Sequence, residues 1–431
     1  MKVLLANSSF HGGGITTYAH ELVKCLSQDY ELTVVIGDDS YRPITVPDVT
    51  VLHYDAQEIS KENALFFIKL INEELKPDLI ISSLGIIIPI IAPYLNDNIR
   101  IVTVSHSGRY FNSEYSVFNH QYIDSIIAAS SVYNKRYLEN KYHIKDKTKV
   151  RVIYNFMASD AKLENYRLIK KDNHPIQIIY AGGWFPVKTP DLVLKVLCEL
   201  LKTDLDFKFY WTGETSIPFV YKQPWCKLIK IQDIRQFVPK DRRVEFTGRL
   251  ASKTEFDELL ASSNILISPS RNEGSSMLLL EALRSGSICI VGDYKNGNRE
   301  VVENGHCGFV VNHRKPKEFV GIVSDMIRNK DNYAFYYDNA YKTYQDEHTY
   351  SVWKKQIDDL MIASTNHHIR KKISMMQLSM DVFRMRIKLK LNPIRRFSHT
   401  LESLVGYFSQ YIRMRIKREF PKYANSFASE L

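Results

Sequence analysis

"RNEGSSMLLLEALRSG", residues 271–286, puts one carboxylate, Glu273, just ahead of an apolar helical run and a second, Glu281, in the middle of it. A carboxylate in a packed core is costly unless it is paired or hydrogen-bonded. The preceding residues "ILISPS" supply a buried strand and the start of a polar loop. Ser275 or Ser276 then opens the helix. A helix N-terminus offers free backbone N–H groups and a positive dipole end, which suit a phosphate. Glu273 and Glu281 stand eight residues apart, which at the helical rise is about 12 Å. That exceeds the ~5–9.5 Å between the carboxylates of a glycosidase acid–base pair. It suits one extended ligand held at two points with a diphosphate between them. On spacing alone Glu281 could also pair with Arg284 on a solvated face.

Outward from this stretch, short apolar runs alternate with helical periods. Strands are expected at 2–6, 32–36, 50–53, 78–82, 100–104, 125–129 and 150–153. A second series is expected at 176–181, 207–212, 244–247, 264–268, 288–291 and 308–311. Strand–helix alternation predicts parallel, doubly wound sheets, so the fold class is α/β with two Rossmann-like domains facing a central cleft. The expected divisions are an N-terminal domain 1–158, a polar linker 159–174 and a second domain 175–345. A closing helix 346–365 and a basic helical tail 366–431 follow. Ligands of such folds bind at the carboxyl ends of the strands, in the crevice.

Composition narrows the function classes. A chain of 431 residues, 45% hydrophobic, suits two domains. The five cysteines form no C-x-x-C pair and read as free thiols of a reducing compartment, not a zinc site. "MKVLLANSSF" is too short in apolar residues for a secretory signal, and "LIISSLGIIIPIIAPYL", 79–95, is broken by Gly85, Pro89 and Pro93. No transmembrane span is therefore expected. Residues 367–431 hold 14 Lys and Arg against 4 Asp and Glu, which is the whole of the formal +10 net charge. The neutral remainder gives no sign of nucleic-acid binding.

Within that tail Leu401, Leu404, Val405, Phe408 and Ile412 recur at helical spacing, with Arg413, Arg415, Lys417 and Arg418 at the end and Pro421 as a stop. A basic amphipathic helix of this kind lies on an anionic membrane surface or packs in a protein groove.

Four further stretches bear on chemistry. "HGGGITTYA" puts glycines between a strand and a helix, which allows close backbone approach to an anion. "YAGGWFPVKTPDLVLKVL", 180–197, carries Lys188 between a strand and a helix. His106 follows the strand "RIVTVS" and so faces the crevice. Asp204 and Asp206 in "TDLDF" form a D-x-D pair, read as surface polarity because a metal site needs more ligands and a cleft.

"EGSSMLLLE" has the Glu-x7-Glu form of retaining glycosyltransferases of the GT-B fold, and most resembles glycosyltransferase family 4. "HGGGITTYAHEL", "VTVSHSG", "VRVIYNF" and the whole of 246–311 are similar to that family as well, so the resemblance covers about residues 1–365. It implies transfer of a sugar from a nucleoside-diphosphate sugar, UDP in preference to GDP, with retention and without a metal or other cofactor. By the same resemblance Glu281 would accept the ribose hydroxyls, and Glu273 would meet hydroxyls of the donor sugar. Backbone around Gly274, Ser275 and Ser276 would meet the diphosphate. Lys188 would stabilise the departing phosphates, and His106 would lie beside the reacting sugar, making His106, Glu273 and Lys188 the catalytic set. Gly13, Gly14, Gly182 and Arg249 complete the donor-binding candidates, with Glu300 and Asn155 near the donor loop and hinge. The family usually has an arginine where this chain has Gly183. Arg249 or Arg271 would then have to supply the second cation.

The implied function is synthesis of a cell-surface polysaccharide, lipopolysaccharide or capsule, on a saccharide or lipid-linked acceptor. The enzyme would be cytoplasmic and peripheral on the inner face of the membrane through its tail. Two other function classes share this architecture. Against a phosphorylase of this architecture, "GGW" offers no recognisable site for a pyridoxal phosphate lysine; a degenerate transferase would bind nucleotide or membrane without turnover.

Overall fold

The computed structural model describes residues 1–7, 13–40, 42–106, 110–183, 186–215, 233–363 and 374–387. The first sheet has seven parallel strands: β1 (Lys2–Asn7), β2 (Glu31–Ile36), β3 (Thr50–His53), β4 (Leu79–Ser83), β5 (Arg100–Ser105), β6 (Ser125–Ala128) and β7 (Val150–Val152). Their order is β3-β2-β1-β4-β5-β6-β7. The second sheet has six: β8 (Ile176–Ala181), β9 (Phe207–Thr212), β10 (Val244–Gly248), β11 (Ile265–Ser268), β12 (Ile288–Gly292) and β13 (Gly308–Val311), in the order β10-β9-β8-β11-β12-β13. Both sheets therefore reverse direction beside their first strand, between β1 and β4 and between β8 and β11. These switch points open the crevice in which doubly wound folds hold ligands. Two Rossmann-like domains of the GT-B type result, as the alternation in the sequence predicts.

The strands lie within one residue of their expected ends because most are covered on both faces. β4, β6, β11 and β12 are buried along their whole length. Such strands read as continuous apolar runs. Helix Lys253–Ser262 begins at Ser252, whose hydroxyl accepts from the Glu255 N–H at 3.1 Å, while Glu255 Oε2 accepts from the Ala251 N–H at 3.1 Å. Helix Met277–Arg284 ends in a left-handed Gly286, φ 73°. The Ser287 N–H reaches Ala282 O and the Gly286 N–H reaches Leu283 O, each at 2.9 Å. These two bonds are the Schellman pattern, which satisfies the last carbonyls of a helix.

Residues 153–175 cross from one sheet to the other with short helical turns at Ala161–Glu164, Tyr166–Ile169 and Lys170–Asp172. Phe156, fully buried, packs on Trp353 at a ring separation of 4.9 Å and on Tyr18 at 6.1 Å. Helix Tyr350–Ala363 thus returns to the N-terminal half. Tyr350 OH donates to Asp29 at 2.6 Å, and Tyr30 OH to Asp358 at 3.1 Å. Residues 1–378 form one compact unit, and the described residues beyond them belong to another. Residues 375–387 are helical. The helix expected at 401–412 lies outside the described residues, as do Cys226 and His11. No helix among the described residues is long and apolar enough to cross a membrane. Cys25, Cys289 and Cys307 are buried free thiols, and Cys198 is half-buried.

Candidate functional site

Helix Met277–Arg284 opens at Ser276, where the sequence places it, and Ser276 makes no side-chain cap hydrogen bond. Ser275 and Ser276 are buried, and the Ser275 hydroxyl has no partner among the described residues. A buried, unpartnered hydroxyl beside an uncapped helix N-terminus is a ready receptor for an anion. The other half contributes a second helix end. Gly13, at φ 86°, is the N-cap of helix Gly14–Asp29. A Cβ built on Gly14 would lie 3.7 Å from Met277 Cγ. The starts of two helices, one from each half, therefore meet across the crevice.

Lys188 ends a short 3₁₀ turn, Pro186–Lys188, directly before helix Pro190–Leu200. Its Nζ lies 2.5 Å from Glu273 Oε1. The loop is anchored by the Arg271 N–H, which donates to Val187 O at 2.8 Å. Gly182 follows β8; a side chain there would come within 2.9 Å of Tyr180 OH and 3.2 Å of Lys188 Cβ. Gly183 has φ 56° and accepts the Tyr180 hydroxyl at 2.9 Å. Its left-handed backbone disfavours the arginine the family carries there. Arg249 lies exposed just past β10, beyond the left-handed Gly248.

His106 is buried at the end of β5, its Nε2 2.9 Å from Ser83 Oγ at the end of β4. Tyr18 meets its ring edge-on at 5.1 Å. Burial lowers its pKa to about 4, so the imidazole is neutral near pH 7. Gly274 brings the loop before helix Met277–Arg284 to this point: a Cβ there would overlap His106 O. Lys188, Glu273, Gly274 and His106 are thereby brought together.

Glu281 is buried, but its partner is not Arg284. Arg284 turns away and donates through Nη1 to Ala158 O at 3.0 Å. Lys253 Nζ lies 3.0 Å from Glu281 Oε1 and also bonds Asp257. Burial alone would depress the Lys253 ammonium. The two carboxylates outweigh it and raise its pKa above the ordinary lysine value. Burial, helped by the Glu281 charge, raises Asp257. The sequence reading missed Lys253 and Asp257. Their signal was there in part: Ser252-x-x-Glu255 marks a helix start and so puts Lys253 and Asp257 on one helical face. Asp204 and Asp206 are exposed on the loop before β9.

The sequence model of the glycosyl transferases group 1 family matches residues 164–343, and that of glycosyltransferase family 4 matches residues 12–160. An uncharacterized glycosyltransferase from Haemophilus influenzae is 25% identical over 190 residues, 44% of this chain. The chain spans about half the length of that relative, 49%. The fold is similar to that of HepE from Anabaena, solved with UDP and glucose (TM-score 0.64, 16% identity, 84% of this chain and 100% of that one). It is also similar to a glycosyltransferase from Rickettsia africae (TM-score 0.65, 13% identity, 85% and 99%). Between them the two family models account for both halves of the crevice. The chain belongs to the GT-B glycosyltransferases, of the family 4 type.

Proposed function

We propose that the protein is a retaining, metal-independent glycosyltransferase. It moves a hexose from a nucleoside-diphosphate sugar, UDP in preference to GDP, to a saccharide or lipid-linked acceptor in synthesis of a cell-surface polysaccharide. The observation that carries this reading is the Lys188–Glu273 pair beside the uncapped start of helix Met277–Arg284, with His106 on the facing half. HepE, of the same fold, binds UDP and glucose.

In this reading the diphosphate lies on the backbone of Gly274 to Ser276, near Gly13 and Gly14. Glu281 takes the ribose hydroxyls, and Lys253, 3.0 Å away, pairs with that carboxylate and orients it. When the glycosidic bond to the donor breaks, negative charge grows on the leaving diphosphate. Lys188 and the helix N-terminus stabilise it there. Glu273 exchanges its contact with Lys188 for hydroxyls of the sugar. His106, neutral and held by Ser83, presents a hydrogen-bonding edge to the reacting sugar. The chain supplies position and electrostatics; the acceptor hydroxyl attacks from the face the diphosphate leaves, and its proton passes to an oxygen of that departing diphosphate.

The basic tail 366–431 supports a place on the inner face of the cytoplasmic membrane. Each Lys or Arg near an anionic surface is worth about 1 kcal/mol.

The experiment is turnover of a panel of UDP-, GDP- and ADP-hexoses, with the anomeric configuration of the product read by NMR. A UDP-hexose should be consumed with retention, and Glu273→Ala should abolish this. Inversion would overturn the retaining mechanism. A wild-type chain that binds UDP without turning over any donor would move the reading to a degenerate nucleotide-binding member of the fold, for which Gly183 is the motivating departure.

A further inference from the structure

The proposed chemistry needs the two halves held in one register, and the ligand contacts above leave that task unassigned. Glu300 lies on the short helix Asn298–Val301 of the C-terminal half. Its Oε2 accepts the Ser131 N–H at 2.7 Å and the Tyr154 hydroxyl at 3.0 Å. Both donors belong to the N-terminal half, just beyond β6 and β7. Ser131 is the first residue of a helical run that continues through Arg136–Tyr142, and Ser130 caps the same end by accepting the Asn134 N–H at 3.1 Å. A carboxylate from one half therefore sits on the positive end of a helix in the other, in charge-assisted hydrogen bonds. Burial, then the Glu300 carboxylate, raises the pKa of Tyr154, which keeps its hydroxyl a donor.

This contact is continuous with the catalytic loop. The Gly297 N–H donates to Glu273 O at 2.9 Å. A Cβ on Gly297 would fall 1.3 Å from Gly274 O and 3.1 Å from Ser130 Cβ. Gly274 in turn abuts His106 O, and Asn155 Nδ2 donates to Ser275 O at 2.7 Å. Backbone segments at 106, 130–131, 273–275 and 297 thus stack without room for a side chain between them.

We propose that Glu300 is a positioning residue that clamps the N-terminal half over the donor loop and so sets His106 against Glu273. It touches neither donor nor acceptor. This rests on the transferase reading. The consequence is a split between binding and turnover: the diphosphate and ribose contacts survive loss of the clamp, while the alignment of the reacting groups does not.

The test uses the full chain, four single variants and one double variant. Glu300→Ala removes the acceptor. Glu300→Gln keeps a carbonyl oxygen that accepts both bonds. Tyr154→Phe removes one donor. Ser131→Pro removes the other; proline is tolerated at the first helical position, and Ser130 is already extended at φ −158°, ψ 155°. Three readouts are taken: UDP affinity by calorimetry, kcat and KM for the donor, and hydrogen exchange at 131–135 and 154–157 with and without UDP. Glu300→Ala should lower kcat by about 10²-fold, the scale of a 1 Å misplacement, with UDP affinity within about twofold. Exchange in both segments should rise, and Glu300→Gln should restore part of each. Ser131→Pro should lower kcat too, and combining it with Glu300→Ala should cost little more than the larger single effect.

Unchanged kcat and exchange in Glu300→Ala would overturn the clamp, as would independent, fully multiplicative effects of the two sites. If the wild type fails to bind UDP, the transferase reading falls. The exchange data on the ligand-free chain still decide whether Glu300 holds the halves together.

Discussion

Lys188 and Glu273, 85 positions apart in sequence, form an ion pair 2.5 Å long in the crevice, with side chains 29% and 17% exposed. Because both still meet water, the pair contributes little to folding, within about 1 kcal/mol. In the proposed function its value lies in catalysis. Removing a positioned charge stabiliser from the leaving diphosphate should cost about 10²–10³ in kcat. Lys188→Ala is therefore expected to keep its urea midpoint near the wild-type value while donor turnover falls by that factor.

Lys253 holds two carboxylates, and one of them, Glu281, is only 6% exposed. Lys253→Met leaves Glu281 and Asp257 facing each other without a cation. Breaking a fully buried pair by removing one partner costs about 3–5 kcal/mol; with Lys253 itself 30% exposed, screening reduces this to about 1–2 kcal/mol. Urea unfolding should show a loss on that scale, and UDP affinity should fall with it. A variant as stable as the wild type would contradict the arrangement around Glu281.

Gly274 and Gly297 are fixed by contact, not by turn geometry. Gly274→Ala and Gly297→Ala each force backbone apart, at His106 O and at Gly274 O respectively. Overpacking of this kind costs about 1–3 kcal/mol. Both variants should lose turnover more than stability, since the segments they separate carry His106 and Glu273. A steady-state assay alongside thermal unfolding measures the two losses.

Two buried histidines set an acid limit. Burial lowers both His106 and His348 from 6.5 to about 4. The unfolded chain binds protons at these sites between roughly pH 6.5 and 4 while the folded chain does not. Their contribution to stability is therefore complete above about pH 6.5 and is lost as pH falls towards 4, on the order of 3 kcal/mol per histidine. Urea midpoints measured from pH 8 to 4.5 should drop on the acid side, and His348→Gln should flatten part of the drop.

The strands were legible because burial on both faces leaves uninterrupted apolar runs such as "LIISS" and "ILIS", which need no knowledge of the partner strand. The start of the Glu281 helix was legible for a similar reason: its serines and apolar period are local signals. The partner of Glu281 was not. Lys253 lies 28 residues earlier in the polar run "ASKTEFDELL", and only packing of that helix on Met277–Arg284 brings the ammonium to the carboxylate. Local spacing instead pointed to Arg284, which packing diverts to Ala158 O. The reach of Glu300 to Ser131, across 169 positions, has no local trace either.

In the proposed function Glu281 and the helix start at Ser276 form a nucleoside-diphosphate site. Thermal unfolding of the wild type and of Glu281→Ala with UDP, GDP, ADP and CMP tests it most directly. A ligand bound only by the folded chain stabilises it by about 2.7 kcal/mol at a hundredfold excess over its dissociation constant. UDP should raise the wild-type midpoint above the other nucleotides, and the rise should vanish in Glu281→Ala, whose Lys253–Asp257 pair still holds the helix. No rise with any diphosphate, or an equal rise in the variant, would contradict the account.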